Sequence, residues 1–262
     1  MRGVDGVKSC GARAAGESWP AGGWRSSAAC RAAVALALLV SGCVKPYDPF
    51  RIPREELRRR IHTIALAPIR VDPDVGDPAP TRARVEVMAS RRLTAGGFTV
   101  IPAKEMERLW REAAADVGDV FDPITGQVDK RRFDLVEEAV FRELAGRYRA
   151  DAVLHLSVYG VDLFRTGAKV QFCGREDAVY WPGGLGLGIM EETTLVRAAC
   201  LGVTLYDMDE HVLYTIQAGI EPFETYAHQT RAVRPTADRL QDEFRLQGAV
   251  DDAVGRLAGG PQ

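Results

Sequence analysis

The residues of this chain that could carry chemistry are few, and their spacing does not favour catalysis. After residue 42 the only serines are Ser90 and Ser157, and neither lies in the Gly-x-Ser-x-Gly turn that presents a hydrolase nucleophile. The histidines stand singly, and no His-x-x-x-His or Cys-x-x-Cys pair offers the spacing of a metal site. They are His62, His155, His211 and His228. The sequence therefore predicts no catalytic residue and no metal site.

A glycine-rich segment from Trp181 to Gly188 is the next candidate, because glycines let backbone amides approach a phosphate. A dinucleotide loop follows a parallel strand and opens a helix. Here Pro182 lies at the start, strand-like sequence follows, and no Lys-Ser or Lys-Thr pair closes the segment. We therefore expect a loop between two strands, with no nucleotide and no cofactor. Its aromatic and small apolar residues make it the predicted partner-binding surface, formed by Tyr180, Trp181, Gly183, Gly184, Leu185, Gly186, Leu187 and Gly188.

Composition excludes further classes of protein. The 262 residues are 46% apolar and 27% charged, which is enough for one sizeable core or two small ones. The formal net charge of −2 provides no overall basic field for nucleic acid, whose binding depends largely on neutralised phosphates. We therefore expect no nucleic-acid partner.

The first 42 residues are predicted to be a cleaved secretory signal. Basic residues dominate the start of the chain and lead into the apolar run Ala32–Val40. That run is shorter than the roughly 20 residues that a spanning helix needs. A positive flank, a short apolar run and small residues after it are the marks of a signal peptide.

The run ends in Leu39-Val40-Ser41-Gly42-Cys43, which resembles the lipobox of bacterial lipoproteins. The resemblance implies cleavage before Cys43 and lipidation of its sulfur, so that the membrane itself is a partner. Val44 and Lys45 follow instead of an aspartate, which in the sorting pattern of these proteins favours the periplasmic face of the outer membrane. The alternatives are a transmembrane anchor or a secreted protein with an unrelated cysteine.

The remaining cysteines agree with export. Cys10 and Cys30 leave with the signal and Cys43 is consumed by lipid, so Cys173 and Cys200 remain as an even pair. An oxidising compartment would let them form a disulfide. Two independent buried thiols are the alternative.

Residues 43–60 are predicted to be a lipidated short linker that contains several prolines, and residues 61–262 a single periplasmic domain. We interpret the charged stretch Arg54–Arg60 as a solvated helical face, with a patch for lipid headgroups as the alternative.

The domain is expected to belong to the α+β class, as a single two-layer sandwich with a mixed or antiparallel sheet and helices packed on one face. Strands are predicted at 61–69, 98–101, 152–159, 170–181, 194–206 and 211–220, with 207–210 as a hairpin turn. Helices are predicted after Thr81, after Pro102 and over Asp129–Tyr148. Thr236 is expected to cap a carboxy-terminal amphipathic helix, with Leu240, Phe244, Val250, Val254 and Leu257 on one face.

The order of these segments resembles a superfamily of envelope lipoproteins that includes the curli secretion channel subunit, the penicillin-binding-protein activator lipoproteins and the amino-terminal domain of the Tol-system periplasmic protein. The resemblance rests on Ile64–Pro68, Gly97–Pro102 and Ala150–Leu154, followed by a β-meander and a final helix. It implies a non-catalytic binding or assembly module that contacts another envelope protein or forms a homo-oligomer. The alternative is a cell-wall or lipid hydrolase with an unrecognised site.

Overall fold

The computed structural model describes residues 47–121, 125–166, 168–180, 193–227 and 230–259. The chain divides into two compact units, Met1–Tyr47 and Asp48–Gln262, and the described residues lie almost entirely in the second. Cys43 and the predicted signal lie outside the described residues. Among the helices of the described part, none is long and apolar enough to cross a bilayer.

The second unit contains helices and strands in an α+β arrangement, which confirms the predicted class. The helices are α1 (Arg54–Arg60), α2 (Pro78–Ala95), α3 (Ala103–Val117), α4 (Lys130–Arg147) and α5 (Glu243–Ala258). The strands are β1 (Thr63–Leu66), β2 (Arg70–Val71), β3 (Thr99–Ile101), β4 (Ala152–Thr166), β5 (Lys169–Phe172), β6 (Arg175–Ala178), β7 (Thr193–Asp207), β8 (Val212–Ala227) and β9 (Thr230–Val233).

The main sheet is mixed, as predicted. Its order is β3-β1-β4-β7-β8-β9, with β2 also beside β4. Strand β1 is parallel to both β3 and β4, whereas β4, β7, β8 and β9 are successively antiparallel. Strands β5 and β6 form a separate two-stranded hairpin. Three long antiparallel strands therefore make up most of the sheet.

One face of the sheet is covered by α2 and α5. Val85, Ala89 and Leu93 of α2 share a core with Leu154 of β4 and Leu201 of β7. These α2 residues recur at helical spacing, and the helix begins behind Asp77, whose side chain accepts a hydrogen bond from the Ala79 amide.

Helix α5 is the predicted closing helix, but it begins later than expected. Its N-cap is Asp242, whose side chain accepts from the Arg245 amide at 3.1 Å, whereas Thr236 opens only a 3-10 turn. Leu240 has a φ of 58°, a backbone conformation that a helix cannot contain. Phe244, predicted on the buried face, is 85% exposed. The cap prediction was therefore wrong.

Helices α3 and α4 pack on the opposite face of the sheet, which differs from the expected placement of all helices on one face. Met106 of α3 and Val140 of α4 form a second core with Ala65 of β1 and Val153 of β4. The reason lies in β1 and the residue after it, because Ile64, Ala65, Leu66 and Ala67 are all buried. A strand that is apolar on both faces requires cover on both faces.

The segment before residue 61 belongs to the domain and is not a free linker. The rings of Phe50 and Tyr214 lie 4.9 Å apart, and the amide of Thr215 donates to the carbonyl of Pro49 at 3.0 Å. In α1 the side chain of Leu57 is fully buried, and Arg58 donates to the Gly96 carbonyl at 2.8 Å. The compact unit therefore begins at Asp48, so that α1 is only partly a solvated face.

Candidate interaction surface

The long strands extend beyond the helical layers, and their outer halves form a surface of their own. We call this region the distal sheet and define it as residues 160–166 of β4, 193–199 of β7, 219–227 of β8 and the whole of β9. The strand register aligns Asp162 with Arg197 and Arg197 with Glu224. Two residues farther out, on the same face, it aligns Phe164 with Leu195, and Leu195 with Tyr226. The innermost residues of the distal sheet, Ala199, Ile220 and Phe223, still belong to the core that α2 and α5 share, whereas the residues farther out need other cover.

The β5–β6 hairpin covers one of these faces and is attached by a disulfide. The predicted pair, Cys173 and Cys200, forms this bond, with a distance of 6.2 Å between the two α-carbons. Cys200 is fully buried in β7, and Phe172 packs against Val196 and Ala198 in a small third core. The prediction of a disulfide therefore agrees with the structure.

A glycine lets the hairpin approach the sheet closely. The amide of Gly219 in β8 donates to the carbonyl of Cys173 at 3.0 Å. A Cβ atom at Gly219 would lie 2.7 Å from the Phe172 ring and 2.8 Å from the Phe172 carbonyl oxygen. Any side chain at this position would push the hairpin away from the sheet.

The other predicted surface residues are placed only in part. Tyr180 lies at the edge of the distal sheet, where its carbonyl accepts a hydrogen bond from the Thr225 hydroxyl at 2.8 Å. Its ring centre is 4.8 Å from the guanidinium carbon of Arg234, a cation–π distance. The rest of the predicted loop, Trp181, Gly183, Gly184, Leu185, Gly186, Leu187 and Gly188, lies outside the described residues.

A row of ion pairs crosses the opposite face of the distal sheet. The Glu224 side chain is 1% exposed; it accepts a hydrogen bond from the Arg231 guanidinium and lies 3.6 Å from that of Arg197. Arg197 also donates to Asp162 at 2.8 Å and to Asp74 at 2.6 Å. We call Asp162, Arg197 and Glu224, with Arg231 and Asp74, the ionic row.

The ionic row controls the charge state of its buried carboxylate. Burial would raise the pKa of Glu224, but hydrogen bonds from Tyr226 and Arg231, with the charges of Arg231 and Arg197, lower it below its ordinary value. For Tyr226, the hydrogen bond to Glu224 is the largest cause of a raised pKa. Glu224 is therefore ionised at neutral pH, and the ion pairs around it can serve as a fixed polar cover.

A second buried carboxylate fixes the connection from β9 to α5. Glu221 is fully buried; it accepts from the Leu240 amide at 2.7 Å and from Arg234 at 3.0 Å. The Arg239 guanidinium lies over the Phe223 ring, 4.6 Å from its centre. The register between β7 and β8 shifts twice here, which leaves Ile220 and Phe223 unpaired as bulges. These bulges turn both carboxylates of the Glu-Pro-Phe-Glu stretch towards arginines.

Sequence reasoning missed this ionic arrangement. The available signal is the charge pattern of β8, in which Glu221 and Glu224 interrupt an otherwise apolar and aromatic stretch. Two carboxylates in a buried strand require cationic partners. Their partners are Arg197 in β7, Arg231 in β9 and Arg234 directly after β9. These contacts depend on the pairing of the strands, which a single sequence does not specify.

Three surface clefts of about 380, 400 and 410 Å³ are found among the described residues. The smallest lies on the β5–β6 hairpin and the second beside Trp110 of α3. The third lies between α4 and the β7–β8 turn. None of these three clefts is lined by a serine or a histidine.

The histidines that could serve a hydrolase lie elsewhere. His155 is exposed on β4 and meets Tyr206 edge to face at 5.2 Å between ring centres. His211 lies in the β7–β8 turn, where potential ligand atoms of Asp207, Asp209 and His211 lie within 4.8 Å of one another. Asp207 accepts hydrogen bonds from the amides of Asp209 and His211. Turn formation therefore accounts for this arrangement.

Comparisons with known proteins identify no family. No protein-family model and no curated protein matches the chain. Two structures of the PelC dodecamer from Paraburkholderia phytofirmans are 12% and 13% identical to it, each with a TM-score of 0.30. They cover 76% and 78% of this chain, and 87% and 91% of their own.

A structure of a putative neuraminyllactose-binding hemagglutinin homolog from Helicobacter pylori is 10% identical, with a TM-score of 0.30. It covers 81% of this chain and 89% of its own. Likeness at this level carries no argument about function.

We predict that removing the disulfide destabilises the distal sheet before the rest of the domain. The two cysteines are 27 residues apart, and the chain-entropy relation gives roughly 3–4 kcal/mol for a loop of this length. Replacing both by alanine should lower the free energy of unfolding and speed tryptic cleavage at Lys169 and Arg175. The wild type under reducing conditions is the control and should behave like the variant. An unchanged denaturation midpoint and an unchanged cleavage rate would contradict the prediction.

We also predict that Glu224→Gln lowers the free energy of unfolding by about 1–3 kcal/mol at pH 7, because it replaces a buried carboxylate with a neutral amide that pairs more weakly with the guanidinium groups of Arg231 and Arg197. The folded pKa of Glu224 lies below its ordinary value of 4.5. Its contribution is therefore complete above that value and is lost as the pH falls through the folded pKa. The difference between wild type and variant should shrink in denaturation experiments as the pH is lowered stepwise below 4.5.

The matched control for this prediction is Glu138→Gln. Glu138 is 68% exposed and pairs with Arg142 one helical turn away, so the change should cost less than about 0.5 kcal/mol. Equal changes in the free energy of unfolding for the two substitutions at pH 7 would contradict the prediction, because burial of Glu224 would then add nothing to its contribution.

Proposed function

We propose that this protein is a lipoprotein anchored to the periplasmic face of the outer membrane, where it acts as a non-catalytic binding or assembly module. The observation that carries the proposal is the sequence Leu39–Cys43 at the end of a short apolar run. Small residues before a cysteine at this point are what lipid attachment requires. Several acyl chains together hold a protein on a bilayer, whereas one chain gives marginal binding.

The start of the domain supports a close attachment to the membrane. The compact unit begins at Asp48, and a chain from Cys43 to Asp48 spans at most about 18 Å. Lipid on Cys43 would therefore keep the domain next to the bilayer. An attached domain meets neighbours in two dimensions, which raises the effective concentration for binding partners.

The distal sheet supports a binding role. Phe164 is 78% exposed on β4 and stands beside Leu195 in the register. Exposed aromatic residues next to a fixed polar row are typical of protein interaction sites. Tyr180, the first residue of the predicted partner-binding surface, lies at the edge of this region.

One observation favours a hydrolase as the second candidate. The cleft of about 410 Å³ is lined by Lys130, Asp134, Glu137, Met208 and Glu210, among others. Burial, followed by the charges of Glu210 and Asp134, raises the pKa of Glu137. A carboxyl with a raised pKa in a cleft is a feature of general acids. An activity of this kind would have to depend on Glu137.

We predict that Cys43→Ala abolishes labelling by radioactive fatty acid and leaves an uncleaved precursor in the inner membrane fraction. We expect this result because lipid attachment and cleavage both depend on the thiol of Cys43. Intact mass measurement would detect the uncleaved precursor. Cys30→Ala is the matched control, since Cys30 lies in the predicted signal and should have no effect on labelling. Normal labelling and cleavage of the Cys43→Ala protein would refute lipid attachment.

We predict that crosslinking in intact cells, followed by mass spectrometry, captures a defined partner or another copy of the chain. A variant with residues 183–188 shortened should lose the crosslink, whereas Phe244→Lys, at an exposed residue of α5, should retain it. The hydrolase alternative predicts a different result. The protein would then be monomeric without partners, and would cleave cell-wall or lipid substrate with an activity that Glu137→Gln removes.

A further inference from the structure

The main sheet has two unlike open edges within its distal part. Beyond Val158, β4 has no strand beside it on the side away from β7, among the residues that the structure describes. On the other side of the sheet, β9 pairs with β8 and with no further described strand. An open edge that carries an exposed aromatic residue and no proline is a template for pairing with another chain.

The two open edges lie at the same level of the sheet. Asp162 is aligned with Arg197, Arg197 with Glu224, and Glu224 with Val233. In the next row, Phe164 is aligned with Leu195, Leu195 with Tyr226, and Tyr226 with Arg231. Residues 162–164 on one edge and 231–233 on the other therefore stand opposite each other across the sheet.

The backbone groups at these levels point outwards. The carbonyls of Leu154 and Val158 accept bonds from the Ala67 and Asp72 amides on the β1 and β2 side. Strand alternation then directs the amides and carbonyls of Asp162 and Phe164 to the open edge.

On β9, the Arg234 amide donates inwards to the Phe223 carbonyl. The same alternation directs the amides and carbonyls of Arg231 and Val233 away from β8. Each edge thus directs the backbone polar groups of two residues outwards at matching levels, where no described strand pairs with them.

Strand direction makes these edges complementary between copies. Because β4, β7, β8 and β9 are successively antiparallel, β4 and β9 run in opposite directions. A second copy, related by rotation about an axis along the strands, would bring its β9 antiparallel to β4. Asp162 would then pair with Val233 of that copy, and Phe164 with its Arg231, in one register.

The side chains also fit. Phe164 is 78% exposed, and the side chain of Arg231 is 58% exposed. Their pairing would place the exposed Phe164 ring beside the Arg231 guanidinium, which already lies 5.3 Å from the centre of the Tyr226 ring within its own chain. A further cation–π contact at such a site is worth about 0.5–1 kcal/mol. The 60% exposed Asp162 would lie diagonally from the same Arg231, within reach of a long side chain.

We propose that copies of this chain join head to tail, with the outer edge of β4 in one copy hydrogen-bonded to the outer edge of β9 in the next. The inference rests on the proposed function as a binding or assembly module and names its partner as a second copy. Unlike surfaces in contact generate a ring where the rotation closes and a filament where it does not. The ionic row of each copy would then continue that of its neighbour.

Paired cysteines test the contact. Phe164→Cys and Arg231→Cys are made separately in the mature chain from residue 43 with Cys43→Ser, which retains every described contact. Within one chain the two positions are three strand spacings apart, about 14 Å, beyond the roughly 7 Å that a disulfide can bridge. Mild oxidation should give a covalent dimer when the two proteins are mixed and none with either protein separately.

The double variant should give a ladder of covalent oligomers, because each chain then carries both halves of the contact. Phe164→Cys mixed with Phe244→Cys is the control and should give no dimer. A dimer from Phe164→Cys without the second protein would overturn the proposal in favour of a symmetric β4 contact. A failure to crosslink in the mixture, repeated with Asp162→Cys and Val233→Cys, would also overturn it.

A measurement without cysteine variants covers the case in which they fold poorly. Sedimentation of the otherwise unchanged mature chain should give a mass of several copies, and Phe164→Lys should raise the concentration for half-assembly about tenfold or more. A mass of one copy at every concentration would overturn the proposal. In one further outcome, the crosslinking in cells captures a different envelope protein while neither cysteine pair forms a covalent dimer. In that case the binding function stands and the head-to-tail contact is wrong.

Discussion

The covering of the outer half of the sheet is the constraint on which the rest of the structure depends. Strands β4 and β7 have 15 residues each, about 50 Å at the rise of a strand, whereas helices pack only over their inner halves. A sheet face left bare would expose apolar residues such as Val196 and Ala198 to water. The hairpin held by Cys173 and Cys200 removes that surface on one side, and the ionic row replaces an apolar face on the other.

These two covers work in different ways. The disulfide reduces the conformational entropy of the unfolded chain. It also holds in place a small hairpin that buries too little area to remain there by itself. The ionic row needs no covering layer, because its buried carboxylate is matched by guanidinium groups whose outer parts still reach water. Glu224 is 1% exposed, while the side chains of Arg197 and Arg231 are 27% and 58% exposed. The sheet can therefore extend past its helices without a third helical layer.

Local features of the sequence predicted most of the elements. Helix α4 was predicted over Asp129–Tyr148 from its apolar stripe, and the structure places it at Lys130–Arg147 with Asp129 as its N-cap. The disulfide followed from counting thiols. The helices on both faces were not predicted, although the continuous apolar run Ile64–Ala67 is the signal for a strand that is covered on both faces. The N-cap of α5 is a local contact of Asp242 with the Arg245 amide, and the choice of Thr236 missed it. The partners of Glu221 depend on contacts between residues farther apart in sequence, which composition and periodicity do not encode.

The proposed attachment and the proposed contact between copies impose compatible geometries. The chain enters the domain at Phe50, which contacts Tyr214 near the beginning of β8. Both open edges lie at the level of residues 224–226 of β8. This level is roughly 30–35 Å from Tyr214 along the strand. Copies related by rotation about an axis parallel to the strands all keep their entry points at one end of the assembly. A single bilayer can therefore hold every lipid anchor while the edges pair at the far end, whereas a symmetric β4 contact between antiparallel strands would point the two entry ends in opposite directions.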